Sequence, residues 1–267
     1  MILKPYLKSL FSSRIILFWS VGFVIFWLFI GVFVFTEGLS LSGNGIISYA
    51  STWYSVSSIL SIASIGVSIS FSIYYSSSSL AYLFRNSKLS SYRYYLESSI
   101  ATGVFFTAVG IILLFVLMSF FYLKFHVIIY PHILWLSIIL FLSSGILFYS
   151  LSVILVVIFN NWLGLKNINF VSFIPLFLGY GFGYAALFYE LPDGLLYSNI
   201  ISPLEYLYVF SFTGQTPWVE LINPLSKQVS IVLCASSLII WIIILLTMAL
   251  LLIRRIKSSY VEEARQI

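Results

Sequence analysis

YLFRNSKLSSYRYYLESS, residues 82–99, is the longest polar, charge-bearing interruption between apolar runs in this 267-residue chain. It carries Arg85, Lys88, Arg93 and Glu97, and the segments on either side of it are oily enough to sit in lipid. A basic island between two spans belongs on the cytoplasmic side of a membrane. Placing it there, between a second and a third span, sets the orientation of everything else.

The composition supports that reading. Hydrophobic residues make up 61% of the chain, charged residues 8%, and the mean hydropathy is +1.08. A soluble domain carries about 25% charged residues, so water cannot be the solvent for most of this surface. The net charge of +5 reads as membrane orientation and not as a nucleic-acid footprint, because the basic residues flank apolar runs. Cys234 stands alone inside an apolar run, which suits a small core residue and rules out an intrachain disulfide.

Six spans are expected, over residues 15–35, 46–75, 100–123, 133–159, 168–189 and 229–253. The first would rise about 31 Å as a helix, enough for a hydrocarbon core of roughly 30 Å. Ahead of it, residues 1–14 place Leu3, Leu7 and Leu10 on one helical face with Lys4 and Lys8 off it. That is the pattern of a short amphipathic helix lying in the interface. With the N-terminus in the cytoplasm, eleven of the 13 Lys and Arg fall inside and only Lys124 and Lys227 outside. The whole chain therefore reads as one all-α transmembrane domain, multi-pass in the cell membrane, with both termini cytoplasmic.

No Asp, Glu, Lys, Arg or His falls within these spans, and all eight acidic residues are assigned to loops or tails. Proton-driven carriers usually keep an ionisable residue at membrane depth, so the bundle is expected to be electrically inert, with energy entering from outside it. His126 and His132 share one short loop, an unlikely arrangement for haem ligation inside a bundle. No catalytic or metal-binding constellation is expected.

Three further stretches carry alternatives. Ser57, Ser61, Ser64 and Ser68 recur at helical spacing in the second span; they line a translocation path or let another helix pack closely. Gly179 and Gly183 form a GxxxG, a packing signal. Residues 190–227 hold four of the seven prolines, together with the run LEYLYVFSF, which is too short to cross a membrane. That segment reads either as a re-entrant external gate or as a surface loop with an apolar patch.

The order of these parts resembles the membrane subunits of type-2 ABC exporters. The local match is ELPDGLLYSNIISPLEYLYVFSF, in which Leu191, Pro192, Pro203, Leu204 and Tyr206 are similar to that family's "LP … P-L-x-Y" pattern ahead of the last span. The family often has a basic residue soon after the motif; here residues 209–213 are uncharged. The resemblance implies two permease subunits, identical or homologous, seated on two ATPase subunits. Residues 82–99 would hold a coupling helix, with Arg85, Lys88, Tyr92, Arg93, Tyr94, Tyr95 and Glu97 meeting the ATPase. Residues 1–14 would form an elbow helix, and Pro192, Pro203, Leu204, Glu205 and Tyr206 an external gate. ATP and magnesium would belong to the partner, since no GxxxxGK[ST] occurs in this chain. Positive-inside anchoring is the plainer account of Arg85 and Lys88. A non-transporting assembly or anchor subunit and a secondary carrier remain the alternative functions, and the substrate is not specified.

Overall fold

The computed structural model describes residues 2–257 apart from 39–40, 42, 87–88, 163–168 and 222–225. Every regular element among the described residues is a helix. Proline placement explains the lengths. None occurs between Pro5 and Pro131, and a proline in a helix interior costs about 3 kcal/mol. Within that interval lie the two longest helices, α3 (Asn44–Asn86, 43 residues) and α4 (Ser91–Phe125, 35 residues), numbered here in chain order. They are about 64 and 52 Å long, well beyond the ~30 Å of a hydrocarbon core. Only residues 87–90 separate them. The stretch expected to be a loop over 82–99 is therefore the tip of a helical hairpin.

Serine content hid this continuity. Ser70 and Ser76 dilute hydropathy, but each hydroxyl donates back to a carbonyl four residues earlier, at 2.9 and 2.6 Å, so the helix continues through them.

Before this pair come α1 (Leu3–Ser12) and α2 (Arg14–Val34). Two wide turns, Phe18–Gly22 and Ile30–Val34, interrupt α2 with π-helical geometry. After it come α5 (Leu134–Asn161), α6 (Asn169–Ser172), α7 (Ile174–Phe188), α8 (Asp193–Ser198), α9 (Ile201–Thr213) and α10 (Ile231–Ile253). Among the described residues five helices, α2 to α5 and α10, are long and apolar enough to cross a membrane. The span expected over 168–189 breaks at Phe173, ahead of Pro175, and leaves α7 with 15 residues, a rise of about 22 Å.

Helices α3 and α5 form the centre. Over their most apolar windows 78% and 72% of residues are buried, against 33% for α2 and 28% for α10, whose outer faces are apolar and exposed. Close packing depends on small residues. A Cβ added at Gly145 would stand 2.5 Å from Gly103 Cα, so α4 and α5 cross backbone to backbone there. Gly179 meets Ala63 in the same way, with a built Cβ only 2.9 Å from that residue's, and the GxxxG of α7 is a packing face against α3.

Each serine of the stripe makes a hydrogen bond inside the bundle. Ser57, Ser61 and Ser64 are buried and Ser68 is partly so. Ser57, Ser64 and Ser68 bond to carbonyls of α3 itself, and Ser61 donates across to Ser20 O of α2 at 2.7 Å.

Candidate functional site

The two ends of the bundle are built differently, and the residues singled out in the sequence divide between them. One end, the basic end, carries the α3–α4 tip and α1. Arg85, Tyr92 and Arg93 are exposed there, and Lys88 lies outside the described residues. Helix α1 packs on the first turns of α4, with Leu10 buried and Lys4 and Lys8 exposed, as its amphipathic pattern requires. Glu97 fastens it. Its carboxylate accepts from the backbone N–H of Ile2 and of Leu3, the latter at 3.0 Å, and from Arg93 Nε at 2.8 Å. A negative charge supplied by one helix thus satisfies the free N–H groups that open another.

This corrects part of the expected docking surface. Tyr94 and Tyr95 do not face outward. Tyr95 is fully buried, its hydroxyl 2.6 Å from Ser150 Oγ of α5, and its ring packs on Tyr149. Tyr94 packs edge-on to Phe84 of α3. Adjacent positions on a helix lie about 100° apart, so Tyr92 and Arg93 stay outside while Tyr94 and Tyr95 turn into the α3–α4–α5 seam. Glu97 is engaged with α1.

At the other end the chain folds back into the bundle before its last long helix. Helix α8 runs down along α10. Lys227 Nζ meets Asp193 Oδ2 at 2.6 Å, Ser237 Oγ donates to Tyr197 O at 2.5 Å, and Trp241 Nε1 donates to Ser198 O at 3.0 Å. Trp241 is the eleventh residue of α10, so the tip of this hairpin lies about 15 Å below the start of that helix. Asn199 makes the turn. Its Oδ1 accepts from the N–H of Ile201 and Ser202 at 2.8 and 2.7 Å, and Pro203 sits in the first turn of α9, where its missing N–H costs nothing. Helix α9 then rises to Gly214, whose left-handed φ of 68° closes it, and the N–H groups of His132 and Ile133 donate to Phe212 O and Ser211 O, both at 2.9 Å.

Helix α9 is apolar nearly all round and buried nearly all round, from Ile201 through Val209. Ser55 Oγ of α3 donates to Glu205 O at 2.9 Å, Ser144 Oγ of α5 lies 2.9 Å from Tyr208 Oη, Ser137 and Ser211 join at 3.1 Å, and Tyr206 Oη donates to Val219 O at 2.5 Å. Of the expected gate residues, Pro203, Leu204, Glu205 and Tyr206 come together in this core; Pro192 stays exposed at the entrance to α8.

No known protein-family model matches the chain, and no curated protein or solved structure gives a significant match.

Glu205 overturns the expectation of an electrically inert bundle. Its accessible surface is 0%, and among the described residues neither carboxyl oxygen has a hydrogen-bond partner. The sequence places it among loop carboxylates because the run around it is too short to span. The signal for its burial was the run itself, ISPLEYLYVFSFT, in which a single charge interrupts an otherwise uncharged, largely apolar and aromatic helix. Above it, a cavity of about 130 Å³ opens between the start of α3 and the end of α9, lined by Asn44, Ser48, Ser51, Thr52, Val209 and Trp218 among others.

Proposed function

We propose that this chain is the permease subunit of an ATP-driven exporter, working as a pair of identical or homologous subunits on two separate ATPase subunits. The observation that carries this reading is the placement of two specialised devices at opposite ends of one bundle: an exposed basic helical tip beside a docked amphipathic helix, and a helical hairpin plugged into the far end. The first suits a site for receiving work and the second a gate. On this reading the six spans are α2, α3, α4, α5, α6 with α7, and α10. The basic end and both termini face the cytoplasm, α1 is the elbow helix, α8–α9 is the re-entrant external gate, and ATP and magnesium bind the partner.

Arg85, Tyr92 and Arg93 are the exposed residues offered to the ATPase. Buried Tyr94 and Tyr95 act behind them, tying the tip to α5. Purification of the chain from its native membrane should bring an ATPase subunit with it, and Arg85→Glu combined with Tyr92→Ala should release that subunit while leaving the bundle folded. Recovery of the chain with an envelope or respiratory complex and no ATPase would instead mark it as an anchor subunit.

Glu205 favours a second reading, a secondary carrier. Ionisable side chains inside membrane bundles commonly bind a coupling ion, and this one has no hydrogen-bond partner on its carboxyl among the described residues. Flux into liposomes driven by an ion gradient alone, without nucleotide, separates the two.

A further inference from the structure

We propose that Glu205 is a proton-binding site served from the cavity at the hairpin end of the bundle, so that the hairpin seals with the carboxyl protonated and loosens when it ionises. This rests on the hairpin geometry and not on which energy source drives the bundle. Val209 on α9 and Ser51 and Thr52 on α3 line the cavity. One turn deeper on the same faces come Glu205 and Ser55, joined by the bond from Ser55 Oγ to Glu205 O. A single helical turn, about 5.4 Å, therefore separates Val209 at the cavity from Glu205 on the same face of α9. When the contact between α3 and α9 opens by that much, water reaches Glu205. A proton carried by that water then bonds to Oε1 or Oε2 and turns carboxylate into acid; on ionisation the O–H bond breaks and the proton returns to water.

The surroundings favour the acid while the hairpin is closed. Helix α9 packs on α3, α5, α7, α8 and α10. Those five helices carry only two charged residues between them: Arg85 at the far tip of α3, and Asp193 at the entrance of α8, paired with Lys227. Titratable groups on these helices include Tyr206 and Tyr208 on α9 itself, Tyr54 on α3, Tyr197 on α8 and Cys234 on α10, while α7 contributes Tyr180 and Tyr184, which stack on one another, and α5 the hydroxyls of Ser137 and Ser144; the loops packed on α9 add His132, whose N–H donates to Phe212 O, and Glu220, beside Val219. None of the groups on the helices is a cation. An ionised carboxylate without a partner or water costs far more to bury than the acid does, so closing the hairpin and holding the proton are one event.

Carbodiimides react with protonated carboxyls, which gives a readout independent of transport. Full-length protein in lipid nanodiscs would be treated with the apolar reagent dicyclohexylcarbodiimide and mapped by peptide mass spectrometry. Glu205 should be modified at neutral pH, and its modification should fade as the pH rises further. A water-soluble carbodiimide should reach Glu205 several-fold faster in Val209→Ala, which thins the cavity floor, and Val209→Trp should suppress it. Glu205 left unmodified at neutral pH would overturn the proposal, as would labelling indifferent to both Val209 variants. Glu205→Gln, an amide mimic of the acid, should fold and lose the labelled peptide; failure of this variant to fold while Glu205→Asp folds would show that a charge is required there and would equally contradict it.

Discussion

Glu97 and Glu205 are the same side chain set at opposite ends of one bundle, and nearly everything about them differs. Glu97 sits at the basic end with three donors on its carboxylate, two of them backbone N–H groups of α1. It holds a joint together and its charge is fully used. Glu205 sits at the hairpin end with no accessible surface and, among the described residues, no donor on either oxygen. A carboxylate answered by partners is a fastener; one buried without them can be kept only as the acid, and that makes it responsive to whatever brings water to it. On the proposed reading, the contrast makes one end of the bundle a fixed joint and the other a movable plug.

The sharpest way to break the contrast is to put a permanent charge where none is answered. Glu205→Lys should cost about 4 kcal/mol or more and abolish recovery of monodisperse protein on size-exclusion chromatography, whereas Glu97→Lys should leave the bundle intact. Next in size is Gly214→Val at the hairpin exit. Gly214 has φ of 68°, and a Cβ there would come within 2.5 Å of His132 Cδ2, so the substitution should cost about 2 kcal/mol and lower the thermal midpoint.

Glu97→Ala should free α1 without unfolding the spans, seen as faster amide exchange at residues 2–12 and unchanged exchange in α5. The pH response of the two ends should also differ. A carboxyl that is easier to protonate in the folded state than in the unfolded one contributes stability that is complete at acid pH and lost as pH rises. Wild-type protein should therefore lose thermal stability from mildly acid to alkaline pH by more than Glu205→Gln does. The smallest effect belongs to the exposed pair at the mouth of the hairpin. The hydrogen bond to the Asp193 carboxylate raises the pKa of the Lys227 ammonium above its ordinary value, so on the alkaline side the contribution of this pair is held through neutrality and fades in strong alkali. Lys227→Ala should leave the thermal midpoint at neutral pH unchanged, because surface pairs contribute little.

How much of this was legible in the sequence follows from what each segment must satisfy. The helical, lipid-suited bundle was, since long apolar runs without proline admit little else. So was the amphipathic face of α1, set by Leu3, Leu7 and Leu10, and so was a short apolar element ahead of the last long helix. The length of α3 was not, because hydropathy registers Ser76 as polar while its hydroxyl is satisfied by Ser72 O within the helix. Nor was the direction of Tyr94 and Tyr95, which depends on where α4 begins. Glu205 escaped for a different reason. Counting charges inside spans assumes that only spans lie inside, and α9 is buried without being long enough to cross.

The central claim is that the two ends are coupled: work delivered at the basic tip moves the hairpin at the far end. Thr216→Cys places a thiol at the rim of the hairpin cavity, and the only native cysteine, Cys234, is buried. Labelling of that thiol with a membrane-impermeant maleimide, in native membranes with and without ATP, reads hairpin movement directly. The account predicts that ATP changes the labelling rate and that Arg85→Glu with Tyr92→Ala abolishes the change. A rate that ignores ATP in the native membrane, yet shifts when an ion gradient is imposed, would contradict it.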